Sequence, residues 1–233
     1  MTTISPVLLV GAGRLARHLQ HWNTLIKTPL SLRQWDRSQS PDLLQHHLEN
    51  VSTVWLAISD NAIIPFYENY LATKNLTAVH FSGALNDSRL LSAHPLMSFP
   101  QELLPNEVYP KIHFSISGFT DLQMALPNFE NNYTVLPAEQ KAFYHALCVL
   151  AGNFPQMIWS EVSAQMHHLQ LPDAAVDLYI QQITNNYLRL KEQALTGPLV
   201  RRDHETISRN LHALHEQPKL QHIYETFRKE FTK

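Results

Sequence analysis

The stretch Val7-Leu8-Leu9-Val10-Gly11-Ala12-Gly13-Arg14-Leu15-Ala16 constrains this chain more than any other part of it. Val7 to Val10 are apolar at every position, as in a strand covered on both faces of a parallel sheet. Beyond the glycines the rhythm changes: Leu15, Leu19 and Trp22 fall at i, i+4 and i+7, the spacing that lines one side of an α-helix. The reading is strand, glycine turn, helix. The turn matches G-x-G-x-x-A, the pattern that opens dinucleotide-binding folds. Gly11 permits the tight turn, Gly13 lets the backbone approach a pyrophosphate that a Cβ would obstruct, and small Ala16 lets the helix pack closely on the strand. Amides of the segment Gly11, Ala12, Gly13, Arg14 and Leu15, helped by the helix dipole, then face the phosphates. The competing reading is a tight turn with a structural role only.

The segment 29–35, Pro-Leu-Ser-Leu-Arg-Gln-Trp, alternates as a strand, and its end should meet the adenosine ribose. Asp36 could accept hydrogen bonds from a free 2′-hydroxyl, which selects NAD. Arg37 with Ser38 could hold a 2′-phosphate by charge-assisted hydrogen bonds, which selects NADP and is the favoured reading. Further strands are expected at 53–59, 77–83, 111–117, 133–136 and 156–159, with helices beginning at Pro41, over 61–72, and from about Ala138 to Ala151, ended by Gly152. Helices alternating with strands imply right-handed crossovers and a doubly wound, mostly parallel Rossmann sheet with helices on both faces. From Ser160 the chain is rich in Leu, His, Gln and Asn at helical spacing, with Gly197 its one glycine. The expected domains are therefore a dinucleotide-binding domain over 1–159 and an all-helical domain over 160–233. A helical tail this short buries too little apolar surface to stand alone, so it is expected to pack on the sheet domain and to form a homodimer with a second copy.

Composition removes whole classes of function. The formal net charge is -2, without the basic excess that sequence-independent nucleic-acid binding requires. Cys148 is the single cysteine, read as a core residue, so no internal disulfide or multi-cysteine metal site is possible. No apolar run reaches a membrane span of about 18 residues and no signal peptide is evident, which gives no membrane partner and a cytoplasmic location. The histidine pairs His46-His47, His167-His168 and His212/His215 lack a ligand set such as HExxH, so no metal is expected.

The residues that follow the inner strands should border the ligand, because ligands lie at the carboxyl ends of parallel strands. These are Ile58, Ser59 and Asp60, then Ser82 and Gly83; Asp60 can equally cap the helix that follows. His94 is the catalytic candidate: Pro95 fixes the backbone beside it, and hydride transfer to a carbon bearing oxygen or nitrogen needs a proton partner working near neutral pH. His80, His113 and His167 are weaker candidates. No lysine or tyrosine falls in a recognisable catalytic motif. In the tail, Gly197-Pro198 sets a turn, Asp203 caps a helix with Ile207, Leu211 and Leu214 as its apolar stripe, and Arg201-Arg202 could reach an anionic substrate or a neighbouring subunit.

Four stretches together resemble one family: VGAGRLARHL, AISDNAI (57–63), VHFSGAL (79–85) running to AHPLMSF (93–99), and ALTGPLVRRDHETISRNLHAL (194–214). Chains with this order of motifs are bacterial proteins that join a Rossmann-like domain to a DUF2520 helical domain. The family usually carries RGD where this chain has Arg201, Arg202 and Asp203, and the stretch from Met166 to Ala194 is shorter here by about a helix. The resemblance implies kinship with NADP-dependent reductases and dehydrogenases that have helical dimerisation domains, such as pyrroline-5-carboxylate reductase and prephenate dehydrogenase. It also places His94 near the cleft. The resulting expectation is an NADP-dependent oxidoreductase acting on a small anionic metabolite. The rival expectation is a non-catalytic NAD(P)-binding sensor or assembly protein.

Overall fold

The apolar run Val7–Val10 becomes β1 of a seven-stranded sheet. The computed structural model describes residues 6–231. Its strands are β1, β2 (Leu32–Trp35), β3 (Thr53–Leu56), β4 (Thr77–His80), β5 (Leu91–Pro95), β6 (Phe114–Ser117) and β7 (Tyr133–Val135), in the order β2-β1-β3-β4-β5-β6-β7. β1 to β5 run parallel, β6 is antiparallel to β5, and β7 is parallel to β6. Because β2 and β3 flank β1 on opposite sides, the strand order reverses there, which is where such sheets leave a crevice for a ligand. The fold is the expected α/β one: a mostly parallel Rossmann-type sheet followed by an all-helical region.

Helices α1 (Arg14–Leu25), α2 (Pro41–Leu48) and α3 (Asp60–Phe66) supply the first three crossovers. One sheet face is apolar through its centre: Leu9, Trp55, Val79, Ala93, Phe114 and Ile116 pack in one core with Ala16, Leu19 and Trp22 of α1. Full burial of each large side chain contributes roughly 1.5–3 kcal/mol. On the other face Leu8, Val10, Val54 and Leu56 meet Leu44 and Leu48 of α2 and Ile63 of α3. Fully buried His18 ties α1 to the long β5–β6 connection, with Nδ1 2.8 Å from the Tyr109 hydroxyl and Nε2 3.0 Å from the Pro100 carbonyl.

Three local expectations are corrected. Residues 91–95 form a strand where none was expected, because β5 finds hydrogen-bonding partners on both sides and Pro95 stands only at its end. The β4–β5 connection, 81–90, contains no helix, so the crossover rhythm stops at β4. Finally, 156–159 is not a strand and Gly152 does not end a helix: α4 (Lys141–Cys148) continues through a widened turn, Val149–Asn153, into α5 (Phe154–His168). Gly152 has no positive φ with which to cap a helix. The apolar residues Phe143, Leu147, Leu150, Phe154 and Met157 also recur at helical spacing straight through the segment. The widened turn lies just before Pro155 and absorbs the missing N–H and the ring's clash with the preceding turn; a second one, Tyr67–Leu71, follows α3, which contains Pro65.

The described residues up to Pro155 form one compact unit and those from Gln156 another. The second unit contains most of α5, then α6 (Asp173–Leu190), α7 (Pro198–Arg201), α8 (His204–Ala213) and α9 (Pro218–Phe231), and no strand among the described residues. Gly197, at φ 101°, makes the turn before Pro198, and Asp203 caps α8 by accepting the Thr206 N–H at 3.0 Å. Ile207 is buried, while Leu211 and Leu214 are half-buried. No described helix is long and apolar enough to cross a membrane.

Candidate functional site

The turn between β1 and α1 is rigidly held and open on one side. Gly11 sits at φ 125°, and a Cβ there would lie 2.3 Å from the Ala57 carbonyl oxygen, so only glycine fits between β1 and the end of β3. Its N–H donates to the Trp35 carbonyl at 2.8 Å, and its own carbonyl accepts from the Gln34 side chain at 2.8 Å. Gly13 differs. A Cβ on Gly13 would meet nothing within 4 Å, and its φ of -73° suits any residue. Neither backbone strain nor packing requires glycine at this position; what it preserves is empty space over the start of α1. That helix start has no side-chain cap and no acidic residue in its first turn, and Ala12, Gly13 and Arg14 are exposed. Free amides and the positive end of the helix dipole therefore face an open cradle suited to a diphosphate. Leu15 is half-buried, and Ala16, fully buried, allows the close helix–strand approach.

At the end of β2, Asp36 turns its carboxylate back on its own loop. It accepts from the Ser38 N–H at 2.8 Å and from the Ser38 hydroxyl, and these bonds hold its pKa below the ordinary carboxylate value. Exposed Arg37 makes no ion pair among the described residues. Of the three residues expected at the ribose, Arg37 alone keeps its polar group outward.

Ile58 packs at the edge of the core, and exposed Ser59 stands at the N-cap of α3 without a capping hydrogen bond. Asp60 is the first residue of α3 and not its cap. Its Oδ2 instead accepts the Ser82 hydroxyl, joining the ends of β3 and β4. Ser82 Oγ in turn accepts the Leu85 N–H at 3.0 Å, which shapes the turn after β4. Buried Gly83 is pressed from above: a Cβ there would lie 2.6 Å from His145 Cδ2 and 3.1 Å from His94 Nε2. Glycine at 83 thus lets two imidazoles close over the end of β4.

His94 stands at this edge, half-buried, with Nδ1 2.9 Å from the Tyr144 hydroxyl. Burial, Lys141 and His145 lower its pKa to about 4. His94 is therefore neutral at physiological pH, which corrects the expectation of a histidine titrating near neutrality. Burial pushes the Tyr144 phenol above its usual pKa, so Tyr144 keeps its proton. In the tautomer whose Nδ1 accepts from that phenol, the imidazole proton lies on Nε2, on the side of Gly83.

Register explains why this region is polar. His80, Ser92 and Ser117 are level across β4, β5 and β6, and His94 is level with Ser115. All five point to the face opposite Val79, Ala93 and Ile116, because side chains alternate along a strand. Lys141 and Tyr144 of α4 hydrogen-bond to this strip. Lys141, buried to 2 % exposure, donates to the Ser82 carbonyl at 3.2 Å and to the Ser92 hydroxyl, and burial lowers its pKa to about 8. Lys141, Tyr144 and His145 are the site residues that sequence reasoning missed. Their spacing on one side of a helix was the available signal. His80 belongs to the same strip, whereas His113 bonds Thr134 and His167 is exposed beside Asp173. Arg201 and Arg202 are exposed at the end of α7 in the other unit, and Cys148 is half-buried rather than core.

Residues 116–230 match the DUF2520 family, described as a domain of unknown function. Among curated proteins none matches. Among solved structures, a Bacteroides fragilis protein, BF3122, provisionally described as an NADP oxidoreductase, is similar at 17% identity and a TM-score of 0.78, over 100% of this chain and 99% of its own. Protein TM1727 from Thermotoga maritima is similar at 22% identity and a TM-score of 0.71, over 96% and 95%. Pyrroline carboxylate reductase from Plasmodium falciparum, solved with NADP bound, is similar at 10% identity and a TM-score of 0.58, over 98% and 96%. At these identities the likeness is one of fold. This chain thus joins a Rossmann-type sheet to a segment, 116–230, that matches the DUF2520 family.

Proposed function

We propose that the protein is an NADP-dependent oxidoreductase that reduces or oxidises a small, anionic carbonyl or imine compound. The observation that carries this reading is the cradle at Gly13, where an uncapped helix start faces space that a side chain would occupy. The residues present fit the cofactor: amides at the start of α1 hold the diphosphate and unpaired Arg37 holds the 2′-phosphate, while Asp36 is engaged by Ser38. The pyrroline carboxylate reductase with NADP bound, and an Aspergillus terreus imine reductase in complex with NADPH4, share the fold and lend support. When bound, the nicotinamide supplies the hydride. The chain supplies orientation and polarisation: neutral His94, fixed by Tyr144, presents an Nε2–H donor where charge builds on the oxygen or nitrogen of the substrate. Self-association through α6 completes the proposal. Only Val176 of this helix is buried, while Tyr179, Ile183 and Tyr187 form an exposed stripe.

Titration with NADPH and NADH, followed by nucleotide fluorescence, tests the cofactor. NADPH is expected to bind the more tightly, and Gly13→Asp to weaken it about a hundredfold or more by placing a carboxylate against phosphate. Because Gly13 has open space beside it, that variant should melt at the wild-type temperature. NADPH oxidation with small 2-oxo acids and cyclic imino acids then tests chemistry, and His94→Gln should lower kcat by about 10²–10³. Binding of neither nucleotide overturns the proposal.

A further inference from the structure

The row formed by His80, Ser92 and Ser117 lines a cavity of about 210 Å³, which Lys141 also lines and the loop Asn86–Ser88 borders. One group there lacks a hydrogen-bond partner and another lacks a counter-ion. His80 is completely buried, and its Nδ1 accepts the Ser82 N–H at 3.2 Å, so its proton lies on Nε2. That Nε2–H finds no hydrogen-bond partner among the described residues. A buried donor left without an acceptor is costly and rare. The second group is the Lys141 ammonium, which donates to two uncharged oxygens and has no carboxylate within 4.0 Å among the described residues. A buried cation without a counter-ion is likewise unfavourable. The acidic residue that borders the cavity, Asp87, does not meet this need, because the Arg89 guanidinium engages both its oxygens.

We propose that this cavity is a binding site for a small oxyanion group, a carboxylate or phosphate borne by a metabolite, held by His80 Nε2–H, the Lys141 ammonium and the hydroxyls of Ser92 and Ser117. The charges match, since a cation without a counter-ion and an orphaned donor line the same cavity. None of these residues belongs to the dinucleotide cradle, so the site stands whether or not the proposed cofactor binds.

The full chain, labelled with ¹⁵N-histidine, is titrated with inorganic phosphate and separately with acetate, against chloride at equal ionic strength, with the His80 ring resonance identified by its loss in His80→Gln. A saturable shift of the His80 Nε2 resonance with phosphate alone assigns a phosphoryl ligand, with acetate alone a carboxylate, and with both a general oxyanion site. The shift should persist in Gly13→Asp, whose cradle is disabled, and affinity should fall about tenfold or more in Ser117→Ala and in Lys141→Gln. If Lys141→Gln does not fold, Ser117→Ala decides. No shift with either anion, a shift abolished by Gly13→Asp, or unchanged affinity in Ser117→Ala overturns the proposal.

Discussion

Between β4 and β6 the two faces of the sheet are made of opposite materials. One carries Val79, Ala93, Phe114 and Ile116 under Trp22, whose ring lies 5.3 Å from that of Phe114 and 5.4 Å from that of Phe129. The other carries His80, Ser92, His94, Ser115 and Ser117, with Lys141 and Tyr144 hydrogen-bonded to it. Both are covered, yet only the first gains stability from its cover in the ordinary way. Burying imidazoles and an ammonium opposes folding unless each is satisfied. The first face holds the sheet together. The second surrenders stability, and such concessions concentrate where a protein does its chemistry.

The sharpest way to break this contrast is to cut into both faces. Trp22→Ala should lower the unfolding free energy by about 3–5 kcal/mol in urea titrations; a loss below about 1 kcal/mol would mean that the apolar face is not the stabilising one. The polar face should show itself through acid. His80 and His94 have pKa values of about 4 in the fold, against 6.5 for a free imidazole. Between those values the unfolded chain holds more protons, so stability falls as the pH drops through that window, by up to about 3 kcal/mol for each group. Urea titrations from pH 7 to 4 should show that slope, and His80→Gln should flatten it. The smallest effect belongs to Ser117→Ala, expected within about 0.5 kcal/mol of wild type. A loss comparable to that of Trp22→Ala would make the strip a structural core after all.

The cradle was readable in advance because its parts are neighbours in sequence. Gly11, Gly13 and Ala16 lie within one turn and one helix start: Gly11 takes a positive φ, Ala16 is buried where helix meets strand, and Gly13 leaves the space beside the helix start open. The polar strip was not, because strand register brings residues from three separate strands level and α4 then supplies Lys141 and Tyr144. Its trace in the sequence is faint: Phe-Ser-Ile-Ser at 114–117 and Ser-Ala-His at 92–94 both alternate polar with apolar, as strands with one polar face do. The misread strand at 156–159 shows the opposite limit. Four residues of mixed β and helical character fit either element, and only the helical spacing from Phe143 to Met157 decides.

The β4–β5 connection without a helix has one more consequence, for synthesis on the ribosome. The polar strip is complete by Ser117, while the Lys141 and Tyr144 that close it emerge later. An apolar strip left bare over that interval would attract other nascent chains. Serines and histidines stay hydrated while they wait.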